Sequence, residues 1–292
     1  MKLDAECYPC MMAQSYRAAR LSGLEGESLR RALRSTASIL GDLDPDVSPP
    51  GAAALFYDAI KELSGVEDPF LALKEESNRM ALELLPLLRE DARGYGDPFA
   101  YALRAAVAGN IIDFGARAEP GDLGENLARV LETEPFIDHG TILRRELEKA
   151  RRALIICDNA GEIVFDRFLC EILLSEFPQL ELTAAVRGGP AINDALLKDA
   201  SEAGLPDLCK VITTGLAMAG VDLLRASRDF REALGAADVI LAKGQGNFET
   251  LEGEEGNIYF LFQVKCDCVS AYLGARKGLA VIWGSQAGRT RR

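Results

Sequence analysis

The stretch ALIICDNAGEIVFDRFL, residues 153–169, combines three local patterns that together predict an α/β fold. Its first five residues, Ala153–Cys157, form an unbroken apolar run, which is typical of a strand buried on both faces of a sheet. The sequence turns polar at Asp158 and Asn159, and from Glu162 it continues with helical spacing. In an open α/β sheet, ligands bind beyond the carboxyl ends of the strands, so we expect Asp158 and Asn159 to lie at a binding site.

The chemistry of this turn favours a metal ion beside a phosphate. A helix that begins at Glu162 directs unpaired N–H groups and the positive end of its dipole towards the turn, and this suits an anion. The carboxylate of Asp158 and the amide oxygen of Asn159 are ligands for a hard cation. A cation bridged to a phosphate satisfies both requirements, and we therefore interpret this turn as the floor of an active site.

The rest of the chain divides into two parts by its patterns. Residues 1–150 contain helical segments separated by Pro and Gly, and we expect them to form a helical domain. Residues 151–292 alternate apolar strands with helices, which predicts a mainly parallel sheet with helices on both faces. The predicted strands are Ala153–Cys157, Leu182–Val186, Lys210–Thr213, Val239–Ala242, Tyr259–Val264 and Leu279–Trp283. The predicted helices include Asp122–Glu132 in the first part and Glu162–Glu176, Asn193–Ala203 and Arg228–Leu234 in the second.

Composition excludes several classes of function. The net charge of −12 argues against binding to nucleic acid or to an anionic membrane surface. No apolar run approaches the roughly 20 residues that span a bilayer, and the start MKLDAECYPC lacks the apolar segment of a signal peptide. We therefore expect a cytoplasmic protein. His139 is the single histidine, which excludes zinc sites built on two or three histidines and leaves oxygen and sulfur as metal ligands.

Two further strand ends carry polar residues. Arg187 and the pair Asn193-Asp194 follow the second predicted strand, and Lys243 and Gly244 follow the fourth. If these strands are parallel neighbours of the first, Asp194 and Lys243 join Asp158 and Asn159 in one crevice. Two carboxylates and an amide fit Mg²⁺ or Mn²⁺.

The cations of this crevice suit an anionic substrate. Lys243 and Arg187 supply positive charge for a phosphate, and Gly244 lets backbone N–H groups approach it. Taken singly, these residues also fit ordinary turns and helix N-caps, and Arg187 also fits an exposed loop.

The helical half contributes two further candidates, Asn110 and Asp113. They interrupt an otherwise apolar helix end and lie one turn apart on one face. They are interpreted either as a helix stop or as polar residues that lean over the crevice and contact the substrate.

The cysteines form a second group. Cys7 and Cys10 form a CxxC pair and Cys266 and Cys268 a CxC pair, a combination typical of four-thiolate sites for zinc or iron. A redox pair, disulfides or reduced core thiols are the alternatives. Three other cysteines lie in apolar contexts and are expected in the core, namely Cys157, Cys170 and Cys209.

With these motifs the sequence resembles the metal-dependent damage-control phosphatases, formerly a domain of unknown function of the DUF89 type. The paired cysteines resemble its prokaryotic subfamily in particular. The matching motifs are Gly109–Asp113, Asp158–Glu162, Asn193-Asp194 and Lys243–Asn247.

The resemblance implies a helical domain packed on a three-layer α/β/α domain, with one divalent cation between them, Mn²⁺, Mg²⁺, Co²⁺ or Ni²⁺. The family's metal ligands correspond to Asp158, Asn159 and Asp194, and its phosphate-binding lysine to Lys243. Asn110 and Asp113 correspond to family positions that line the substrate pocket. We expect Arg187, Gly244 and Asn247 to contact the substrate as well.

The expected reaction is hydrolysis of a phosphomonoester of a small metabolite such as a sugar phosphate. In it, Glu162 is expected to orient the attacking water or accept its proton, and the alternative is that it only supports the metal ligands. An aspartyl-phosphate route is a less favoured alternative. Two rival functions stay open at this point. One is transfer of a methyl group from S-adenosylmethionine to carboxylates, and the other is a non-enzymatic metal or iron–sulfur protein organised by the paired cysteines.

Overall fold

The computed structural model describes residues 1–111, 127, 131 and 133–286. A predicted helix over Asp122–Glu132 falls almost wholly outside these residues. Within them, five helices precede a seven-stranded sheet, and further helices alternate with its strands. The helices are α1 (Cys7–Leu21), α2 (Gly26–Gly41), α3 (Pro49–Ser64), α4 (Leu71–Gly94), α5 (Pro98–Ile111), α6 (Gly140–Leu147), α7 (Glu162–Glu176), α8 (Leu197–Ala203), α9 (Arg228–Ala236), α10 (Gln245–Leu251) and α11 (Asp267–Leu273).

The sheet is mixed and mostly parallel, as predicted. Its strands are β1 (Ile137–Asp138), β2 (Arg152–Ile156), β3 (Glu181–Val186), β4 (Lys210–Thr213), β5 (Val239–Lys243), β6 (Ile258–Gln263) and β7 (Ala280–Gly284). They lie in the order β1-β7-β6-β5-β2-β3-β4, and only β6 and β7 pair antiparallel. Each of the six predicted strands is present to within one residue at either end. The two residues of β1 are too few for a sequence pattern and were not predicted.

Both faces of the sheet are covered by helices. Along β2, Ala153 and Ile155 pack into one hydrophobic cluster and Leu154 and Ile156 into another, because successive strand side chains point to opposite faces. The first cluster contains residues of α4, α5 and α7, and the second contains residues of α9, α10 and α11. An apolar run without alternation is therefore what β2 requires.

The N-terminal helices divide between two cores. Helices α1 to α3 pack into a separate cluster around Phe56, which also includes Phe70. By contrast, α4 and α5 share one core with the sheet, where Phe99 lies edge-on to Phe177 with ring centroids 5.6 Å apart. The hydrophobic core therefore continues across residue 150, and the division of the chain there remains a prediction.

One predicted helix is wrong at its start. The sequence predicted a helix over Asn193–Ala203, but α8 begins at Leu197. Asn193 lies in a turn instead, and Asp194 pairs with Asn159 in an isolated antiparallel bridge. No helix among the described residues is long and apolar enough to cross a membrane.

Candidate active site

Two turns meet at the carboxyl edge of the sheet. Strand β2 pairs in parallel with β3 on one side and with β5 on the other, so the ends of all three lie together. The Ala195 N–H donates to the Asp158 carbonyl at 2.7 Å, and the Ala160 N–H donates to the Asn193 carbonyl at 2.9 Å. These backbone hydrogen bonds join the turn after β2 to the turn after β3, and so bring Asp158 and Asp194 together.

The turn after β2 is held by a residue of the helical half. Gly161 has a φ of +77°, a conformation that favours glycine, and the chain reverses there into α7. The Gly161 N–H donates to Oδ1 of Asn78 in α4 at 2.7 Å, and Nδ2 of Asn78 donates to Oδ1 of Asp199 in α8 at 2.8 Å. The buried Asn78 side chain therefore connects the turn to two helices.

Arg187 organises the carboxylates of the two turns. Its Nε donates to Oδ2 of Asp194 at 2.6 Å, and Nη2 donates to Oδ1 of Asp158 at 3.4 Å. Its Nη1 donates to Oδ1 of Asn247 and to the carbonyl of Gly220, both at 3.1 Å. The guanidinium is fully buried, so it holds both carboxylates at fixed positions.

Lys243 forms a second buried centre of charge. Its Nζ donates to Oε1 of Glu162 at 2.7 Å, to Oδ1 of Asp166 at 2.5 Å and to the carbonyl of Ala106 at 2.9 Å. These contacts use the three protons of the ammonium. Because Ala106 lies in α5, Lys243 also attaches the helical half to the end of β5.

Asn159 links the two centres. Its Nδ2 donates to Oδ2 of Asp158 at 2.7 Å and to Oε2 of Glu162 at 3.2 Å. Both hydrogen bonds are made by Nδ2, so neither of them uses the amide oxygen of Asn159.

This buried cluster contains more carboxyl groups than cations. Among the described residues, four buried carboxylates, Asp158, Glu162, Asp166 and Asp194, are connected through hydrogen bonds to two buried cations. Desolvation, with the charges of Asp194 and Glu162, raises the pKa of Asp158 to about 8. Desolvation also raises the pKa of Asp166, to about 6, and that of Asp194. The cluster therefore carries two more carboxylates than cations.

The pKa of Lys243 is also raised, and for a lysine this favours the charged form. Burial alone lowers the pKa of Lys243, but the carboxylates of Asp166 and Glu162 outweigh it and raise that pKa above its ordinary value. Lys243 therefore stays charged throughout the physiological pH range.

The cluster opens into a cavity of about 530 Å³. Asp158, Asn159 and Asp194 line one side, and the paired cysteines, Cys7, Cys10, Cys266 and Cys268, line it as well. All four cysteines are free thiols.

The thiols of Cys7 and Cys268 are close enough to interact electrostatically. Burial raises the pKa of Cys7 and, with the neighbouring Cys7 thiol, raises the pKa of Cys268 to about 12. The cavity thus has one wall of carboxyl groups and one wall of cysteines.

Comparison with known proteins shows which family this chain belongs to. Residues 3–281 match the family model of the damage-control phosphatase ARMT1-like domain. The chain belongs to this family. Among curated proteins, it is 37% identical over 283 residues to damage-control phosphatase PH1575 of Pyrococcus horikoshii, covering 96% of this chain and 97% of that one.

Two other comparisons agree. The chain is 30% identical to a damage-control phosphatase of Archaeoglobus fulgidus, over 95% of this chain and 97% of that protein. A crystal structure of a DUF89 family protein from Pyrococcus horikoshii superposes with a TM-score of 0.92 at 36% identity, covering 98% of this chain and 99% of that chain. The damage-control phosphatase fold predicted from the motifs is confirmed.

The remaining predicted substrate contacts are Gly244, Asn247, Asn110 and Asp113. The Gly244 N–H donates to the Leu261 carbonyl at 3.0 Å, and a Cβ added at Gly244 would lie 1.9 Å from Oδ2 of Asp158. Asn247 is buried, and its Nδ2 donates to the Lys243 carbonyl at 2.6 Å. Asn110 is in α5, but its side chain and the whole of Asp113 lie outside the described residues.

The donor set fits the divalent cation that the family resemblance implies. Among the described residues, no group of three or more His, Cys, Asp or Glu side chains is arranged to hold a metal ion. The predicted ligands include only two such residues, Asp158 and Asp194, and add the amide of Asn159. All three offer hard oxygen donors, and the cluster contains two more carboxyl groups than cations, so its ionised form would match the charge of one divalent cation.

Sequence reasoning missed two residues of the cluster. Asp166 lies four residues after Glu162, so helical spacing places both on one face, and this was the available signal. Asn78 is more than 80 residues from the turn that it holds, and no local pattern marks it.

His139 lies apart from this chemistry. Its Nδ1 accepts a hydrogen bond from the Gly284 N–H at 3.0 Å, which connects the end of β1 to β7.

Proposed function

We propose that this chain hydrolyses phosphomonoesters of small metabolites, such as sugar phosphates, with one divalent cation held by Asp158, Asn159 and Asp194. The observation that carries the proposal is a buried cluster with two more carboxyl groups than cations, next to a cavity of about 530 Å³. Small-molecule sites are typically cavities of this size, at roughly 300–1,000 Å³. Membership of a phosphatase family supports a phosphorylated substrate.

The cation supplies the Lewis acid of the reaction, since a bound Mn²⁺, Mg²⁺, Co²⁺ or Ni²⁺ polarises a phosphoryl oxygen and lowers the pKa of water. The chain's own residues set the geometry around it. Arg187 fixes Asp158 and Asp194 in place, and Asn247 fixes Arg187.

Glu162 is the group that orients the attacking water or accepts its proton. Its Oε1 accepts a hydrogen bond from Lys243, and its Oε2 accepts one from Asn159. These two hydrogen bonds fix the carboxyl group of Glu162 next to Asn159, one of the predicted cation ligands.

The predicted phosphate contacts of Lys243 and Arg187 carry a condition. Each cation now binds carboxylates, so a direct contact requires it to exchange one carboxylate for a phosphate oxygen. Without that exchange, both act by holding the carboxylates that surround the cation. The aspartyl-phosphate route is disfavoured for the same reason, because Asp158 and Asp194 are already committed to Arg187 and the cation.

The test is phosphate release from p-nitrophenyl phosphate and a panel of sugar phosphates, measured with and without Mn²⁺, Co²⁺ or Mg²⁺. We expect activity only with metal, and we expect Asp158→Ala to lower kcat by about 10²–10³-fold. Asp267→Ala is the matched control, because Asp267 lines the same cavity but binds Lys277. Activity of Asp158→Ala equal to that of the parent would contradict the proposal.

A further inference from the structure

Lys265 is a cation on the cavity wall that the proposed chemistry does not use. It follows β6, its side chain is exposed, and it lines the cavity together with Asp158 and Asp194. Its charge acts on both of these carboxylates. The ammonium therefore lies within electrostatic reach of the predicted cation site.

The other cations at this site are already engaged. Arg187 and Lys243 are fully buried and bound to carboxylates. Lys277, which also lines the cavity, binds Asp267 at 2.6 Å. Among the described residues that line the cavity, Lys265 is the one lysine that has no carboxylate within 4.0 Å of its ammonium.

The backbone at Lys265 is fixed although its side chain is exposed. The Lys265 N–H donates to Oε1 of Gln245 at 2.8 Å, and Nε2 of Gln245 donates to Sγ of Cys266 at 3.3 Å. The same Nε2 donates to Oε1 of Glu249 at 2.7 Å. Because Gln245 is the first residue of α10, the start of that helix positions the loop that carries Lys265.

We propose that Lys265 binds the phosphate group of the substrate and so determines affinity for phosphomonoesters. The inference rests on the proposed function, because it takes the anion to be a phosphate next to the divalent cation. An ammonium without a carboxylate partner gives up no ion pair when it binds a phosphate oxygen. Its flexible side chain, anchored at the backbone, can follow the substrate into the cavity and release the product.

Calorimetric titration of the Mn²⁺-loaded protein with inorganic phosphate tests this role without requiring turnover. We expect Lys265→Ala to weaken phosphate binding by about 10- to 100-fold, because one hydrogen bond to a charged group is lost. Lys265→Arg keeps the charge and should bind phosphate nearly as well as the parent. Lys277→Ala is the matched control and should bind phosphate as the parent does.

A second titration, with Mn²⁺ alone, separates a phosphate contact from a structural role. Removing a positive charge near Asp158 and Asp194 reduces repulsion of a cation, so Lys265→Ala should bind Mn²⁺ at least as tightly as the parent. Opposite effects on phosphate and Mn²⁺ support the proposal, and a general structural defect would weaken both.

The outcomes distinguish this inference from the proposed function. Phosphate affinity of Lys265→Ala equal to that of the parent would overturn the role of Lys265 alone, even if the parent hydrolyses phosphomonoesters. Equal losses in Lys265→Ala and Lys277→Ala would also overturn it. A parent that binds phosphate through Lys265 but releases none from any ester would overturn the proposed hydrolysis and keep the binding site.

Discussion

The two walls of the cavity differ in how their polar groups are held. The wall at the sheet edge, with Asp158 and Asp194, is buried, and hydrogen bonds from Arg187 and backbone groups fix it. The opposite wall, which we call the thiol wall, consists of Cys7, Cys10, Cys266 and Cys268, and none of these residues is fully buried. Buried carboxyl groups and a buried guanidinium are concentrated at the first wall and cysteine thiols at the second.

The two walls therefore differ in whether their polar groups need a charged partner in the folded chain. A buried charge destabilises the folded chain unless a partner compensates it, so the carboxylates of the sheet edge require Arg187, Lys243 and, in the proposal, a cation. The cysteines of the thiol wall are not fully buried and need no charged partner. We therefore expect substitutions at the first wall to change stability, metal binding and activity together, and those at the second to act weakly.

Lys243→Met should have the largest effect on stability. Removing the ammonium leaves Glu162 and Asp166 buried without their cation, and the free energy of unfolding should fall by about 3–5 kcal/mol. Lys265→Met, at an exposed lysine of the same cavity, should change it by less than about 0.5 kcal/mol. Unfolding in urea, followed by circular dichroism, measures both.

A double variant sharpens this comparison. Replacing Asp166 by Asn in the Lys243→Met background removes one of the two stranded charges, so the double variant should be more stable than the single variant. A Lys243→Met protein as stable as the parent would mean that the buried charges relax without their cation, and the contrast between the two walls would fail.

The next largest effect should be a pH dependence of folding stability, which a bound divalent cation reverses. The pKa of Asp158 is about 8 in the folded chain against an ordinary value of 3.8, so between these values the folded state holds a proton that the unfolded state has lost. Stability of the metal-free protein should therefore fall as pH rises from about 4 to 8, by at most about 1.4 kcal/mol per pH unit from this proton.

Divalent cation should act in the opposite sense, because it binds the ionised carboxylate. The increase in Tm caused by Mn²⁺ should be larger at pH 8 than at pH 6, and differential scanning calorimetry measures it. Asp158→Asn is the control: it lacks the titrating group, so its metal-free Tm should depend less on pH. A Mn²⁺ effect that is larger at pH 6 would contradict this linkage.

Much of the fold follows from local sequence. The apolar run Ala153–Cys157 predicts β2, and the strands β3 to β7 follow from the same kind of pattern, because a strand covered on both faces needs apolar residues throughout. The start of α8 could not be predicted in this way. The bridge between Asp194 and Asn159 depends on which strands are neighbours, and that order is a property of the whole sheet.

The site was predictable where its residues stand at strand ends. Asp158, Asn159 and Asp194 were found because each follows a predicted strand, and the sheet order brings their turns together. The full set of partners of Lys243 was not predictable, because Ala106 belongs to α5 and contacts it across 137 residues of sequence. The roles assigned to these residues remain predictions.

The smallest effects on activity should come from substitutions in the thiol wall. They test whether the two walls differ in function. Cys268 has a pKa of about 12 in the metal-free chain, so it is a protonated thiol at neutral pH and neither a strong nucleophile nor an ionised ligand. We expect Cys7→Ser and Cys268→Ser, assayed in reductant, to change kcat/KM by less than about threefold, as substitutions outside the reacting groups usually do. Elemental analysis of the purified parent should find no stoichiometric zinc or iron.

Stoichiometric zinc or iron that is lost in Cys268→Ser would contradict this expectation. It would show that the thiols ionise on binding a soft metal, as a four-thiolate site requires, and that the cavity holds two metal sites of different chemistry. Loss of activity in the same variant without such a metal would instead make the neighbouring thiols of Cys7 and Cys268 part of the reaction. In either case the wall that carries no buried charge would be as functional as the wall that does.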